Sequence, residues 1–108
     1  MSSLWEQRAA RNEALFREVN ENIADLEERV GPTQEPPLFV CECSNVGCIE
    51  RLAVDPSIYR RVREQPRLFL VRAGHEDPLI EQVAEIHRDF LIVEKTGAAG
   101  EVAEETQP

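Results

Sequence analysis

The sequence is short of bases, aromatic rings and cysteine, and each shortage excludes something. Only 12 Lys and Arg stand against 21 Asp and Glu, a net charge of -9 that argues against wrapping nucleic-acid phosphate. One Trp, one Tyr and four Phe fall mostly at predicted core positions, so no stacking platform for bases is evident. No window approaches about 18 uncharged apolar residues, which excludes a membrane-spanning helix. Met1-Ser2-Ser3-Leu4-Trp5-Glu6 leads straight into a charged segment rather than an apolar run, so no signal peptide is read and a cytoplasmic location is expected. GxGxxG, Walker, HExxH and GxSxG patterns are absent, and Ser2, Ser3, Ser44 and Ser57 lack a recognisable base partner. Enzymatic activity is therefore not expected; its best form would be thiol chemistry at Cys41 and Cys43.

At 108 residues the chain is one domain by length, near the size at which a metal or a partner adds useful stability. Residues 4–30 contain no Gly or Pro and read as one long helix, with Ser3 and Glu6 forming a capping-box pattern and Gly31-Pro32 a stop. Trp5, Ala9, Asn12, Phe16, Val19, Ile23, Leu26 and Val30 follow a heptad spacing interrupted by Asn12. That seam fits two readings: packing on the chain's own sheet, or a coiled coil with a protein partner or a second copy in a homodimer. Leu15 beside the seam widens the apolar face, so the helix is able to serve both surfaces.

Three prolines mark residues 31–37 as a linker. Beyond it, residues 38–43 and 49–54 read as the strands of a hairpin turning at Ser44-Asn45-Val46-Gly47. Asp55-Pro56 opens a short helix to about Glu64. Residues 67–72 form a third strand, and a further hairpin turns at His87-Arg88-Asp89 before Phe90-Leu91-Ile92-Val93. From Thr96 the chain offers Gly, Ala and Glu with one isolated Val102, so the tail 96–108 is expected to be disordered. The organisation is thus a helix at 1–30, a linker at 31–37, a small domain at 38–95 and a tail.

All three cysteines fall within "CECSNVGC", residues 41–48. Their odd number rules out a fully paired disulfide framework within the chain, and a reducing cytosol disfavours disulfides in any case. Cys41 and Cys43 share one face of a strand, Glu42 points away, and a turn at Gly47 brings Cys48 back towards them. Three sulfurs leave one vacancy in a tetrahedral zinc shell. His75, following Gly74 at a strand end, is the fourth ligand, with Glu76 or Asp77 as acceptors for its other ring nitrogen. Such a shell holds one structural Zn2+ per chain. Inert buried cysteines, a Cys41/Cys43 redox pair or sensor, and an iron–sulfur centre are the alternatives. CDGSH-type iron–sulfur proteins, which also use three Cys and one His, place the His shortly after the third Cys, where this chain has Ile49-Glu50-Arg51-Leu52.

Arg60, Arg63 and Arg67, joined by Arg61 and Arg72, form a local basic patch. It reads as a solvated helix face, or as a docking surface for an acidic partner or a nucleic-acid backbone.

The stretches "RNEALFREVNENI", "LFVCECSNVGCIERLAV", "YRRVREQPRLFLVRAGHE" and "FLIVEK" resemble a group of small uncharacterised actinobacterial proteins. These carry an N-terminal helix, a CxC and C segment, a Gly-His after a strand, and a closing Val-Glu-Lys. The resemblance implies that Cys41, Cys43, Cys48 and His75 belong to one unit, and it brings no assigned activity. Ala73 departs from the Pro expected before Gly-His. The fold class expected is α+β: a long N-terminal helix, a small antiparallel sheet and one short helix, stapled by zinc. The function expected is a non-enzymatic interaction or regulatory module working through the helix seam.

Overall fold

The computed structural model describes residues 4–31, 35–43, 45 and 47–105, with side chains of the first helix from Ala14 onward. The fold is α+β, with elements α1 (Leu4–Val30), β1 (Leu38–Val40), β2 (Arg51–Ala53), α2 (Pro56–Arg63), β3 (Leu68–Arg72), β4 (Glu81–Ile86), β5 (Phe90–Lys95) and α3 (Gly97–Glu105). Helix α1 ends where the composition predicts. Gly31 takes φ 91°, and its amide donates to the Glu27 carbonyl at 3.0 Å, a left-handed cap that residues with a Cβ adopt only under strain. The predicted caps at Ser3 and Pro32 lie outside the described residues.

A single small sheet was the expectation, and the strands instead divide into two sheets. The β1–β2 hairpin pairs Phe39 with Leu52, and β3, β5 and β4 form an antiparallel sheet with β5 at its centre. The cysteine segment runs between the two sheets, and its successive amides, pointing to opposite sides, bond to both. Cys41 N still donates to Glu50 O at 3.0 Å, but the next amide, Glu42 N, donates to Leu70 O on β3 at 2.7 Å. This crossing stitches the two sheets together.

Helix α2 begins as predicted, with Asp55 accepting from Ser57 N at 2.8 Å and Pro56 in the first turn, where its missing N–H costs nothing. It buries Tyr59 and Val62, and the Tyr59 ring stacks on Phe39 of β1 at 4.7 Å. The β4–β5 hairpin turns at the predicted place, His87 N donating to Phe90 O at 2.9 Å. At its far end Glu81 pairs with Lys95 within the core.

One expectation about chain organisation is corrected. The tail from residue 96 forms α3 over Gly97–Glu105, with Ala99, Gly100 and Ala103 buried; residues 106–108 lie outside the described residues. Small side chains make this possible without large apolar area, because a Cβ on Gly100 would come within 2.9 Å of the Lys95 carbonyl oxygen. Helix α1 packs on the rest of the chain, the first of the two readings of its seam. Its residues Arg17, Asn20 and Ala24 are buried against the body. Arg17 Nη2 donates to Pro66 O at 2.8 Å and Nη1 to Ala103 O at 3.4 Å, so one guanidinium holds α1, the turn before β3, and α3. The same guanidinium lies 4.3 Å over the Phe69 ring, which Lys95 Nζ also approaches at 5.1 Å. Burial pulls the Arg17 pKa down to about 10, so the group stays charged at neutral pH.

Candidate metal centre

Cys41 and Cys43 enter the site directly from the end of β1, and both are only 2% exposed. The chain then turns. Asn45 Oδ1 accepts from Gly47 N at 3.0 Å and Asn45 O accepts from Cys48 N at 3.0 Å, a turn that returns the third thiol towards the first two. Ser44 and Val46 lie outside the described residues.

His75 arrives from the other sheet. After β3, His75 N donates to Arg72 O at 2.9 Å across Ala73-Gly74, and Gly74 adopts φ 94°. A positive φ at the third position is what glycine supplies without strain, so the turn that aims the imidazole forms with Ala73 in the place where Pro was expected.

The three sulfurs and the imidazole nitrogen converge so that all four ligand atoms lie within 4.8 Å of one another. His75 Nδ1 is 3.6 Å from Cys41 Sγ and 3.5 Å from Cys48 Sγ. A tetrahedral zinc with S at about 2.3 Å and N at about 2.0 Å has S···N edges of about 3.5 Å, so these separations are compatible with a coordination shell. Cys41 Sγ also accepts from Arg72 N at 3.2 Å, a backbone donor that favours the thiolate needed for coordination. Within the cluster the Cys43 thiol is pulled down to about 5, first by its hydrogen bond with Cys41 and then by backbone donation at Asn45. Cys41 is pushed up because it holds that shared proton and is buried, and Cys48 is pushed up by burial. The four residues form a group compatible with one metal ion.

Glu42, between two of the thiols, faces the opposite way, as strand alternation requires. Its side chain is fully buried and saturated. Oε2 accepts from Tyr59 OH at 2.6 Å and from Asn20 Nδ2 at 2.8 Å, and Oε1 accepts from Leu70 N at 2.8 Å. Burial raises its pKa, while these donors oppose the rise. Asn20 also brackets the neighbouring backbone, donating to Val40 O at 2.8 Å and accepting from Val40 N at 2.7 Å. Among the described residues no hydrogen bond joins His75 to either expected acceptor: Asp77 Oδ1 accepts from Leu79 N at 3.0 Å, and Glu76 Oε1 is buried without a partner.

No protein-family model, curated protein or solved structure matches the chain. The site therefore rests on its own geometry.

The predicted helix seam divides. Phe16 and Ile23 are partly buried, Ile23 against the core, whereas Val19 and Leu26 face solvent; the side chains of Trp5 and Asn12 lie outside the described residues. Of the basic patch, Arg63 pairs with Glu21 at 2.9 Å, Arg67 with Glu104 at 2.6 Å and Arg60 with Glu28 at 3.6 Å. Arg61 and Arg72 pair with Glu85 and Glu50. Each guanidinium of the patch thus sits beside a carboxylate, which neutralises the field a phosphate backbone would need.

Arg17, Asn20, Glu42 and Tyr59 support the site, and sequence reasoning did not single them out. The only signal was a polar pair three residues apart, Arg17 and Asn20, followed by small Ala24 on the same side of α1. Amphipathicity reads that side as a solvated one.

Proposed function

We propose that this chain is a non-enzymatic protein-interaction module fastened by one structural zinc ion on Cys41, Cys43, Cys48 and His75. The observation that carries the reading is the pair of S···N separations of 3.5 and 3.6 Å, set up by two sheets that supply the ligands from opposite sides. Three thiolates and one imidazole suit zinc, and four protein ligands close its shell, leaving no position for a catalytic water. Bound there, the ion supplies cross-linking energy between the hairpin and β3, which matters in a domain of this size. Thiol redox chemistry is less well supported, since exchange needs an accessible sulfur and Cys41 and Cys43 are both buried. Charge pairing across the Arg60–Arg72 patch likewise disfavours a nucleic-acid role. The outer side of α1, where Leu15, Val19, Leu26 and Val30 are exposed, offers an apolar surface for association.

Native mass spectrometry of protein purified without chelator tests the reading. One zinc per chain, with slow alkylation of the thiols that becomes fast after chelation, is the expected result. An apo mass with three freely alkylated cysteines overturns it.

A further inference from the structure

Helix α1 has two differently used sides. Arg17, Asn20 and Ala24 are committed to the body, and Ile23 packs at its margin. On the outward side Leu15, Val19, Leu26 and Val30 are 57%, 40%, 60% and 67% exposed. Their spacing of four, seven and four residues puts them on one stripe of a helix, with exposed Asn22 falling between Val19 and Leu26. Because the inward side is already fastened by hydrogen bonds, the stripe is surplus to the fold. Contiguous apolar side chains left in water on an ordered helix mark an association surface.

Charge selects the occupant. Residues 14–30 contain five acids, Glu18, Glu21, Asp25, Glu27 and Glu28, against two bases, Arg17 and Arg29, and Arg17 is buried. Glu21 and Glu28 are paired to α2, whereas Glu18 and Asp25, both exposed, have no ion-pair partner among the described residues. A second copy laid on this stripe would set acid against acid in a chain of net charge -9. A helix with an apolar seam and basic flanks would instead meet Glu18 and Asp25 with opposite charge. We propose that the Leu15–Val19–Leu26–Val30 stripe seats an amphipathic helix of a partner protein whose flanks carry Lys or Arg. The proposal rests on the reading of the chain as an interaction module, and Asn22 offers the partner's seam one polar contact that sets register.

The test uses the full zinc-loaded chain and two labelled synthetic helices of about three heptads, both with Leu at the seam, one with Lys and one with Glu at the flanks. Fluorescence anisotropy at about 0.15 M salt reads binding, and native mass spectrometry of the same sample reads zinc content and oligomeric state. The Lys peptide is expected to bind and the Glu peptide not. Leu26→Glu, an exposed substitution, is expected to weaken Lys-peptide binding at least about tenfold although it adds negative charge. Glu18→Lys with Asp25→Lys is expected to invert the preference. Undiminished binding by Leu26→Glu would reduce the effect to general electrostatics and overturn the proposal. So would a wild-type dimer that Leu26→Glu dissociates, which would make the occupant a second copy. A chain without zinc that still binds the Lys peptide through Leu26 would leave the stripe intact and overturn only the metal reading.

Discussion

Asn20 of α1 donates to the Glu42 carboxylate at 2.8 Å, and Glu42 is the residue between the first two thiols of the metal cluster. A side chain on the long helix is therefore joined by one hydrogen bond to the residue adjacent to both Cys41 and Cys43. The segment that carries Cys41 and Cys43 and the docked helix share one buried network, through Val40, Glu42, Tyr59 and Leu70.

Chelation is accordingly expected to loosen α1 as well as the cysteine loop. Hydrogen exchange should quicken at residues 14–30 together with Val40 and Leu70 when zinc is stripped, and slow again on its return. Faster exchange confined to the cysteine loop would show that the network does not transmit.

Replacing Asn20 with Ala leaves Val40 N–H without its partner and removes one donor from Glu42. Buried groups so orphaned cost about 1–3 kcal/mol, and urea unfolding of the zinc-loaded variant should show a loss of that size. A change under about 0.5 kcal/mol would mean that Asn20 is solvated rather than buried.

Gly100→Ala tests the order of α3. The added Cβ meets the Lys95 carbonyl at 2.9 Å, a backbone atom with little room to yield. Overpacking of this kind costs about 1–3 kcal/mol, although alanine is the better helix former. If α3 were instead unfolded in solution, the substitution would be neutral or mildly stabilising.

Glu85 supplies the pH dependence. Hydrogen bonds from Arg61, first, and from His87 hold its carboxyl down at about 2. The folded value lies below the unfolded one of about 4.3, so its contribution is present above about pH 4 and is lost as pH falls towards about 2. The contribution is small because the pair is partly exposed. The stability difference between the natural chain and Glu85→Gln should hold steady from about pH 7 to about pH 5 and then shrink on acidification. A difference that stayed constant to about pH 2.5 would contradict the depressed value.

The α+β class, the long helix, the capped α2 and the β4–β5 hairpin turn were legible because periodicity and turn chemistry are local. So was the grouping of Cys41, Cys43, Cys48 and His75, since three cysteines in eight positions and a Gly-His at a strand end are local signals. What could not be read was set by distant packing. Arg17 and Asn20 look like solvent-facing polar residues until the carbonyls of Pro66 and Ala103 and the carboxylate of Glu42 are placed beside them. The order of α3 depends in the same way on Gly100 and Ala103 fitting closely, which composition scores as a lack of apolar surface.

We propose above that Cys41, Cys43, Cys48 and His75 together hold one zinc ion. X-ray absorption at the zinc edge of the purified chain tests it most directly. Three sulfur scatterers at about 2.3 Å and one nitrogen at about 2.0 Å are expected, with Cys48→Ser lowering the sulfur count by one. A shell dominated by oxygen and nitrogen, or a sulfur count that Cys48→Ser leaves unchanged, would contradict it.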